Sequence, residues 1–222
     1  MINKIEHTKD IFEYESFLSE EECKYLIDGW NAQDDWDLTC FYNAYVISGK
    51  KDIKDEFKIK IHQMYDRFHK IAEESFGIQL KPLSQSAHKW TVGAYAADHA
   101  DNADLDGTPN GWAANKLVTI LYLNDNYEGG YLTFRDHDIS IKPKTGTLIV
   151  FDVGINNVHA VTEVTDGVRY TMLNSFDYID SQYDVDLEQE KLKEEAAKEE
   201  LKIHWQEGKI NPNDATMPKM VY

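Results

Sequence analysis

The chain has 222 residues, 42% hydrophobic and 12% aromatic, which suffices for one well-buried core and leaves little room for a second full domain. No run approaches the roughly 18 consecutive apolar residues of a membrane helix, and Met1-Ile2-Asn3-Lys4-Ile5-Glu6 lacks the apolar stretch of a secretion signal, so a cytoplasmic protein without membrane contact is expected. A formal net charge of −17 disfavours nucleic acid and anionic lipid, tilts the expected partner toward a basic protein or peptide, and requires a local cation for any anionic ligand.

Phe17-Leu18 precede Ser19-Glu20-Glu21-Glu22, a capping-box pattern, and Leu26, Ile27 and Trp30 follow at helical spacing, so a helix is expected to start near Ser19. Between Ile53 and Phe76 the residues Phe57, Ile61, Met64, Tyr65, Phe68 and Ile71 form one apolar face of a long amphipathic helix. After Pro82 the texture changes to short runs rich in Val, Ile, Thr, Tyr and Phe. Strands are expected over Lys89–Tyr95, Lys116–Leu123, Tyr131–Phe134, Thr147–Asp152, Val158–Val164 and Val168–Phe176, separated by turns at Glu128-Gly129-Gly130, Pro143-Lys144-Thr145-Gly146 and Asp166-Gly167. Helices followed by a block of consecutive strands make an α+β protein with an antiparallel sandwich or jelly roll. That domain is expected over residues 1–180. Residues 181–222, dense in Glu and Lys with oppositely charged pairs four apart, read as a charged helix with Leu187, Leu192, Leu201 and Trp205 as docking points, followed by an extended tail.

His99-Ala100-Asp101 offers two ligand side chains on one side of an extended segment. His159 lies in a later strand-like run that can return beside them, completing two imidazoles and one carboxylate on one face of an ion. That set leaves positions on Fe(II) open for a bidentate keto acid and O2. The same triad suits zinc, although the His-Glu-x-x-His pattern of zinc proteases is absent. Arg169 follows just beyond the Asp166-Gly167 turn, so a hairpin is expected to return it beside the metal strand, where a guanidinium can grip the distal carboxylate of a dicarboxylic co-substrate. Thr171 shares its face and can donate a hydroxyl to the same carboxylate.

Phe17-Leu18-Ser19-x-x-Glu22, His99-x-Asp101, Leu121-Tyr122-Leu123-Asn124-Asp125, Tyr127-Glu128-Gly129-Gly130 with Phe134, Pro143-Lys144-x-Gly146, His159-Ala160-Val161 and Gly167-Val168-Arg169-Tyr170 occur in this order. On these motifs the stretch from Phe12 to Asp177 resembles the prolyl 4-hydroxylase-like branch of the Fe(II)/2-oxoglutarate dioxygenases. The resemblance implies a double-stranded β-helix in which His99, Asp101 and His159 bind Fe(II), Arg169 pairs with the C5 carboxylate of 2-oxoglutarate, and the Tyr122 hydroxyl also reaches the co-substrate. It implies O2 as second co-substrate, leaves room for ascorbate as a reductant, and makes succinate and CO2 the co-products. Hydroxylation of a prolyl residue in a protein or peptide is the leading function; the alternatives are a dioxygenase acting on a free amino acid or other small metabolite, and a catalytically silent binding sandwich.

Three positions depart from the family. Trp90 stands where members often carry a Tyr facing the co-substrate pocket, Asn115 where prolyl hydroxylases often place a substrate-contacting Arg, and Ser175 where they often place Trp. Two aromatic loops are candidate substrate elements: Trp36–Tyr45 with Phe41 and Tyr42, and Asn102–Asn115 with Pro109 and Trp112. Trp112 and Asn115 are therefore the candidate substrate-binding residues. Asp136-His137-Asp138 reads as a polar loop, His88 and His204 have no partners at ligand spacing, and Cys23 and Cys40 read as quiet thiols in a reducing compartment.

Overall fold

The computed structural model describes residues 2–33, 36–39, 44–48 and 55–179. The expected C-terminal helix and tail, Phe41, Tyr42, Cys40 and His204 lie outside the described residues.

The chain opens with a hairpin of β1 (Asn3–Thr8) and β2 (Ile11–Glu15), which the hydrophobic pattern does not announce. β2 pairs with β1 on one edge and with another strand on the other, and Ile11 to Tyr14 are all buried, so the alternation that marks a half-exposed strand is erased. Helix α1 (Glu20–Asn31) then starts as expected: the Ser19 hydroxyl accepts from the Glu22 backbone N–H at 3.2 Å, and the Glu22 carboxylate accepts from the Ser19 N–H at 2.9 Å. Two otherwise orphaned donors are satisfied reciprocally.

The segment Trp36–Tyr45, expected as an aromatic loop, instead contributes β3 (Asp37–Thr39) and the start of β4 (Ala44–Ser48). These strands are made by main-chain pairing on a free sheet edge, with β4 against β5 and β3 against β4, a driving force that side-chain composition does not record. Trp36 packs at 6.5 Å from the Tyr170 ring. Helix α2 (Asp55–Phe76) buries Phe57, Ile61, Met64, Tyr65, Phe68 and Ala72 along one stripe, as its periodicity requires.

Next come β5 (Leu80–Trp90), β6 (Ala96–His99), β7 (Leu117–Tyr122), the short β8 (Glu128–Gly129), β9 (Leu132–Phe134), β10 (Ile139–Ile141), β11 (Leu148–Asp152), β12 (His159–Val161), β13 (Val164–Asp166) and β14 (Arg169–Tyr178). An eight-stranded sheet runs β1-β2-β11-β7-β14-β5-β4-β3, and a four-stranded sheet runs β10-β9-β12-β6. All pairings are antiparallel.

Alternation along the large sheet separates two apolar clusters. Leu117, Leu121, Leu148, Val150 and Met172 meet the helices, whereas Val118, Tyr122, Ile149 and Phe151 turn toward the small sheet. The functional cavity opens within this second cluster.

One expected strand is divided. The run Lys89–Tyr95 joins the end of β5 to a connection, because Gly93 adopts φ +88° and its N–H bonds the Val164 carbonyl at 2.9 Å, turning the chain from one sheet to the other. The glycine of Pro143-Lys144-x-Gly146 has a comparable reason: φ is +78°, a Cβ would lie 2.1 Å from the Leu18 carbonyl oxygen, and its N–H bonds the Tyr122 carbonyl at 2.8 Å. Among the described residues no helix is long and apolar enough to cross a membrane.

Candidate active site

β6 delivers His99, β12 delivers His159, and these strands are neighbours in the small sheet with the two histidines in register. Asp101 follows β6 by two residues and is held by its backbone, with its N–H donating to Val153 at 3.0 Å and its carbonyl accepting from the Asn110 amide at 3.1 Å. One carboxylate oxygen, Asp101 Oδ1, stands 3.3 Å from His99 Nε2 and 3.5 Å from His159 Nε2. The potential ligand atoms of the three residues all lie within 4.8 Å of one another.

The tautomers follow from the second nitrogen of each ring. His99 Nδ1 meets the Ala97 carbonyl at 2.7 Å and His159 Nδ1 meets the Asn157 carbonyl at 3.0 Å. A carbonyl only accepts, so each Nδ1 carries the proton and each Nε2 keeps its lone pair for an ion. Burial alone would raise the Asp101 carboxyl, but the facing His159 and His99 imidazoles, which favour its charged form, outweigh it and hold the group well below the usual carboxylate range. His99 is raised in turn: burial works against its charged form, and the facing Asp101 overcomes it. The donor set of two neutral imidazoles and one carboxylate fits a divalent transition metal, Fe(II) included.

Across the cavity stands Arg169, the first residue of β14. It does not lie beside the metal strand as the hairpin reading expects. β13 leaves the small sheet to pair with β8, and β14 inserts between β7 and β5 of the large sheet, so the guanidinium faces the triad from the opposite wall. Arg169 is 1% exposed, with its guanidinium 4.7 Å from the Trp90 ring and 4.9 Å from the Tyr122 ring. Nη2 donates to the Tyr122 hydroxyl at 3.2 Å, while Nε and Nη1 have no hydrogen-bond partner among the described residues. Gly130 permits this approach, since a Cβ there would sit 3.0 Å from Arg169 Cδ. A buried cation with two unspent donor positions is costly by itself, and a carboxylate ligand is what would satisfy it. The neighbouring Tyr127 hydroxyl is likewise buried without a hydrogen-bond partner.

The open cavity between these walls is lined by the triad and Arg169 together with His88, Trp90, Thr171, Val118, Ile120, Phe151 and other apolar side chains. Thr171 is therefore where the sequence reading puts it, and its hydroxyl accepts from the Trp90 indole at 3.3 Å. Tyr122 sits behind Arg169 and does not line the cavity; burial pushes its phenol up to about 12. Neither Trp112 nor Asn115 lines it. Trp112 is 60% exposed on the Asn102–Asn115 segment, while the Asn115 carbonyl accepts from the Asn102 amide at 2.7 Å. Ser175 is buried against the Ser84 hydroxyl at 2.7 Å, and His137 is tied to Asn156 and Asn157. His88, unpartnered in the sequence reading, lines the cavity beside Arg169; its place two residues before Trp90 on one strand was the signal that could have found it.

The model of the 2OG-Fe(II) oxygenase superfamily matches residues 85–176, the stretch that carries the triad and Arg169. The fold is a double-stranded β-helix like that of solved prolyl hydroxylases. Human prolyl 3-hydroxylase 2 is 41% identical over 83 residues, which cover 32% of this chain and 12% of that protein. The chain thus spans about an eighth of the length of the curated relatives it matches first. Among solved structures, the viral collagen prolyl hydroxylase of Paramecium Bursaria Chlorella virus-1 superposes with a TM-score of 0.58 at 21% identity, covering 76% of this chain and 96% of that one. A Pseudomonas putida prolyl-4-hydroxylase gives 0.61 at 16% identity, covering 76% and 92%. At these identities the likeness is one of fold.

Proposed function

We propose that the protein is an Fe(II)- and 2-oxoglutarate-dependent dioxygenase that hydroxylates a prolyl residue in a basic protein or peptide. The observation that carries this reading is the buried Arg169, its Nε and Nη1 unspent, facing the His99–Asp101–His159 triad across one cavity. A dioxygenase must hold a dicarboxylic keto acid by both ends, and a guanidinium across the cavity from the triad supplies the second grip.

Each residue then has a stated task. His99, Asp101 and His159 would hold the metal through two imidazoles and one carboxylate. Arg169 neutralises the distal carboxylate, and the Thr171 hydroxyl can donate to it. Val118, Ile120, Leu132, Phe151 and Leu173 line the walls with apolar surface, which keeps water away from the reacting centre. Iron supplies the O2 chemistry, coupling decarboxylation of 2-oxoglutarate to succinate with oxidation of a substrate C–H bond.

The side chains of His99 and Asp101 are 29% and 18% exposed against 6% for His159, so the open side of the triad lies toward the start of the Asn102–Asn115 segment. The exposed Trp112 on that segment suits stacking with a prolyl ring, and a net charge of −17 suits basic flanks in the peptide.

The test is anaerobic titration of the Fe(II)-loaded protein with 2-oxoglutarate, followed by incubation with O2, ascorbate and proline-containing peptides. A visible metal-to-ligand charge-transfer band is expected, with mass-spectrometric gain of one oxygen on proline; fragmentation distinguishes the 3- from the 4-hydroxy product. Trp112→Ala should raise the peptide KM about tenfold, on the scale of one aromatic contact, and leave 2-oxoglutarate affinity unchanged. Absence of the band in iron-loaded protein refutes the dioxygenase reading, and hydroxylation of free amino acids alone refutes the peptide substrate.

A further inference from the structure

Resting on the dioxygenase reading above, we infer that Asn110 is a positioning residue that couples the metal ligand Asp101 to the substrate-facing segment, so that a metal ion at the triad holds Trp112 in place. Asp101 stands two residues beyond the end of β6. Its backbone is fixed by two bonds, from its N–H to the Val153 carbonyl at 3.0 Å and from the Asn110 side-chain amide to its carbonyl at 3.1 Å. The other end of that amide, Asn110 Oδ1, accepts from the Trp112 N–H at 2.8 Å. A single half-buried side chain thus bonds the metal ligand and the 60% exposed Trp112 together.

The two bonds agree on how the amide is turned. The Asp101 carbonyl can only accept, so it faces Nδ2, and the Trp112 N–H can only donate, so it faces Oδ1. The amide is planar and rigid, and its two ends therefore move as one. The backbone of Asn110 is also tied, its N–H to the Asn102 carbonyl at 3.3 Å and its carbonyl to the Ala113 N–H at 3.2 Å. The remaining bonds of the segment brace it within itself. Ala103 pairs with Pro109, the Asp104 N–H donates to the Thr108 carbonyl at 2.8 Å, and the Asn102 amide donates to the Asn115 carbonyl at 2.7 Å. Those contacts keep the segment folded, whereas the Asn110 side chain joins it to the metal ligand.

The consequence runs in both directions. A metal ion that fixes the Asp101 carboxylate also restrains its backbone, and through the Asn110 amide it restrains the Trp112 N–H. By linkage, whatever orders the Trp112 segment strengthens metal binding by the same factor. The metal-loaded protein therefore presents Trp112 already ordered, which lowers the entropy lost when a peptide docks against it.

The experiment follows hydrogen exchange of the Trp112 amide by mass spectrometry with fragmentation, with and without Fe(II) under anaerobic conditions, in the wild type, Asn110→Asp and Asn102→Ala. In the wild type Fe(II) should slow this exchange about tenfold, within the usual range of coupling between two sites. Asn110→Asp keeps an acceptor for the Trp112 N–H and loses the donor to the Asp101 carbonyl. It should retain the metal-free protection and lose the response to Fe(II). Asn102→Ala removes a brace of the same segment without touching the link, so exchange should be faster throughout and the response should persist. A response that survives in Asn110→Asp, or that is lost in Asn102→Ala as well, overturns the role of Asn110. So does a wild type that binds Fe(II) without slower exchange at Trp112. A wild type that binds Fe(II) and gives no charge-transfer band with 2-oxoglutarate overturns the dioxygenase reading instead.

Discussion

Replacement of Asp101 by Ala is expected to weaken Fe(II) binding by more than about a hundredfold and to bring hydroxylation below detection, since loss even of an outer-shell partner of a metal ligand costs about 10–100-fold. Asp101 Oδ1 faces both Nε2 atoms, at 3.3 and 3.5 Å, so removing the carboxylate takes away a ligand and also the charge that orients the two imidazoles. The fold should survive. Asp101 lies beyond the end of β6, and the bonds that hold its segment, from its N–H to Val153 and from Asn110 to its carbonyl, are main-chain contacts that Ala retains. Equilibrium iron titration beside far-ultraviolet circular dichroism separates the two effects. Wild-type iron affinity in Asp101→Ala would remove the triad from the mechanism.

Arg169→Met should act on the co-substrate and not on the metal. Truncating one partner of a buried charge pair costs about 2–5 kcal/mol, so the Kd for 2-oxoglutarate is expected to rise by about thirtyfold or more while iron affinity holds. The same change should have the opposite effect on the ligand-free protein. Arg169 is 1% exposed with Nε and Nη1 unpartnered, and a buried cation without a counter-charge opposes folding, whereas an apolar side chain of similar length does not. The thermal midpoint of ligand-free Arg169→Met should therefore hold or rise. Addition of 2-oxoglutarate to the wild type at a hundred times its Kd should stabilise it by about 2.7 kcal/mol, an increment the variant lacks. A variant that loses stability without ligand would mean that Arg169 is a structural residue.

How far the sequence carries can be seen residue by residue. The start of α1 was legible because a capping box is a local device: Ser19 and Glu22 satisfy each other with no help from the rest of the chain. α2 was legible because one face meets an apolar cluster, a requirement written as periodicity, whereas β7, β11 and β14, buried on both faces, were legible as short runs rich in Val, Ile, Leu, Thr and Phe bounded by turn signals. The triad was legible as residue types, since His99 and Asp101 are close in sequence and His159 sits in a strand-like run. β2 was not legible, because pairing on both edges and burial of Ile11 through Tyr14 remove the alternation. β3 and β4 escaped because backbone pairing with a sheet edge makes them, whatever their side chains.

By itself, then, the sequence determined the α+β class, the two N-terminal helices and the residue types of the candidate triad and carboxylate anchor, all of which depend on local patterns or residue chemistry. Only the tertiary structure decided that Arg169 faces the triad from the opposite sheet, that Tyr122 stands behind it, and that Trp90 bonds Thr171 while His88 enters the cavity. These depend on which strands become neighbours, and strand order is set by packing two sheets and two helices together, a global compromise that no short window of sequence contains.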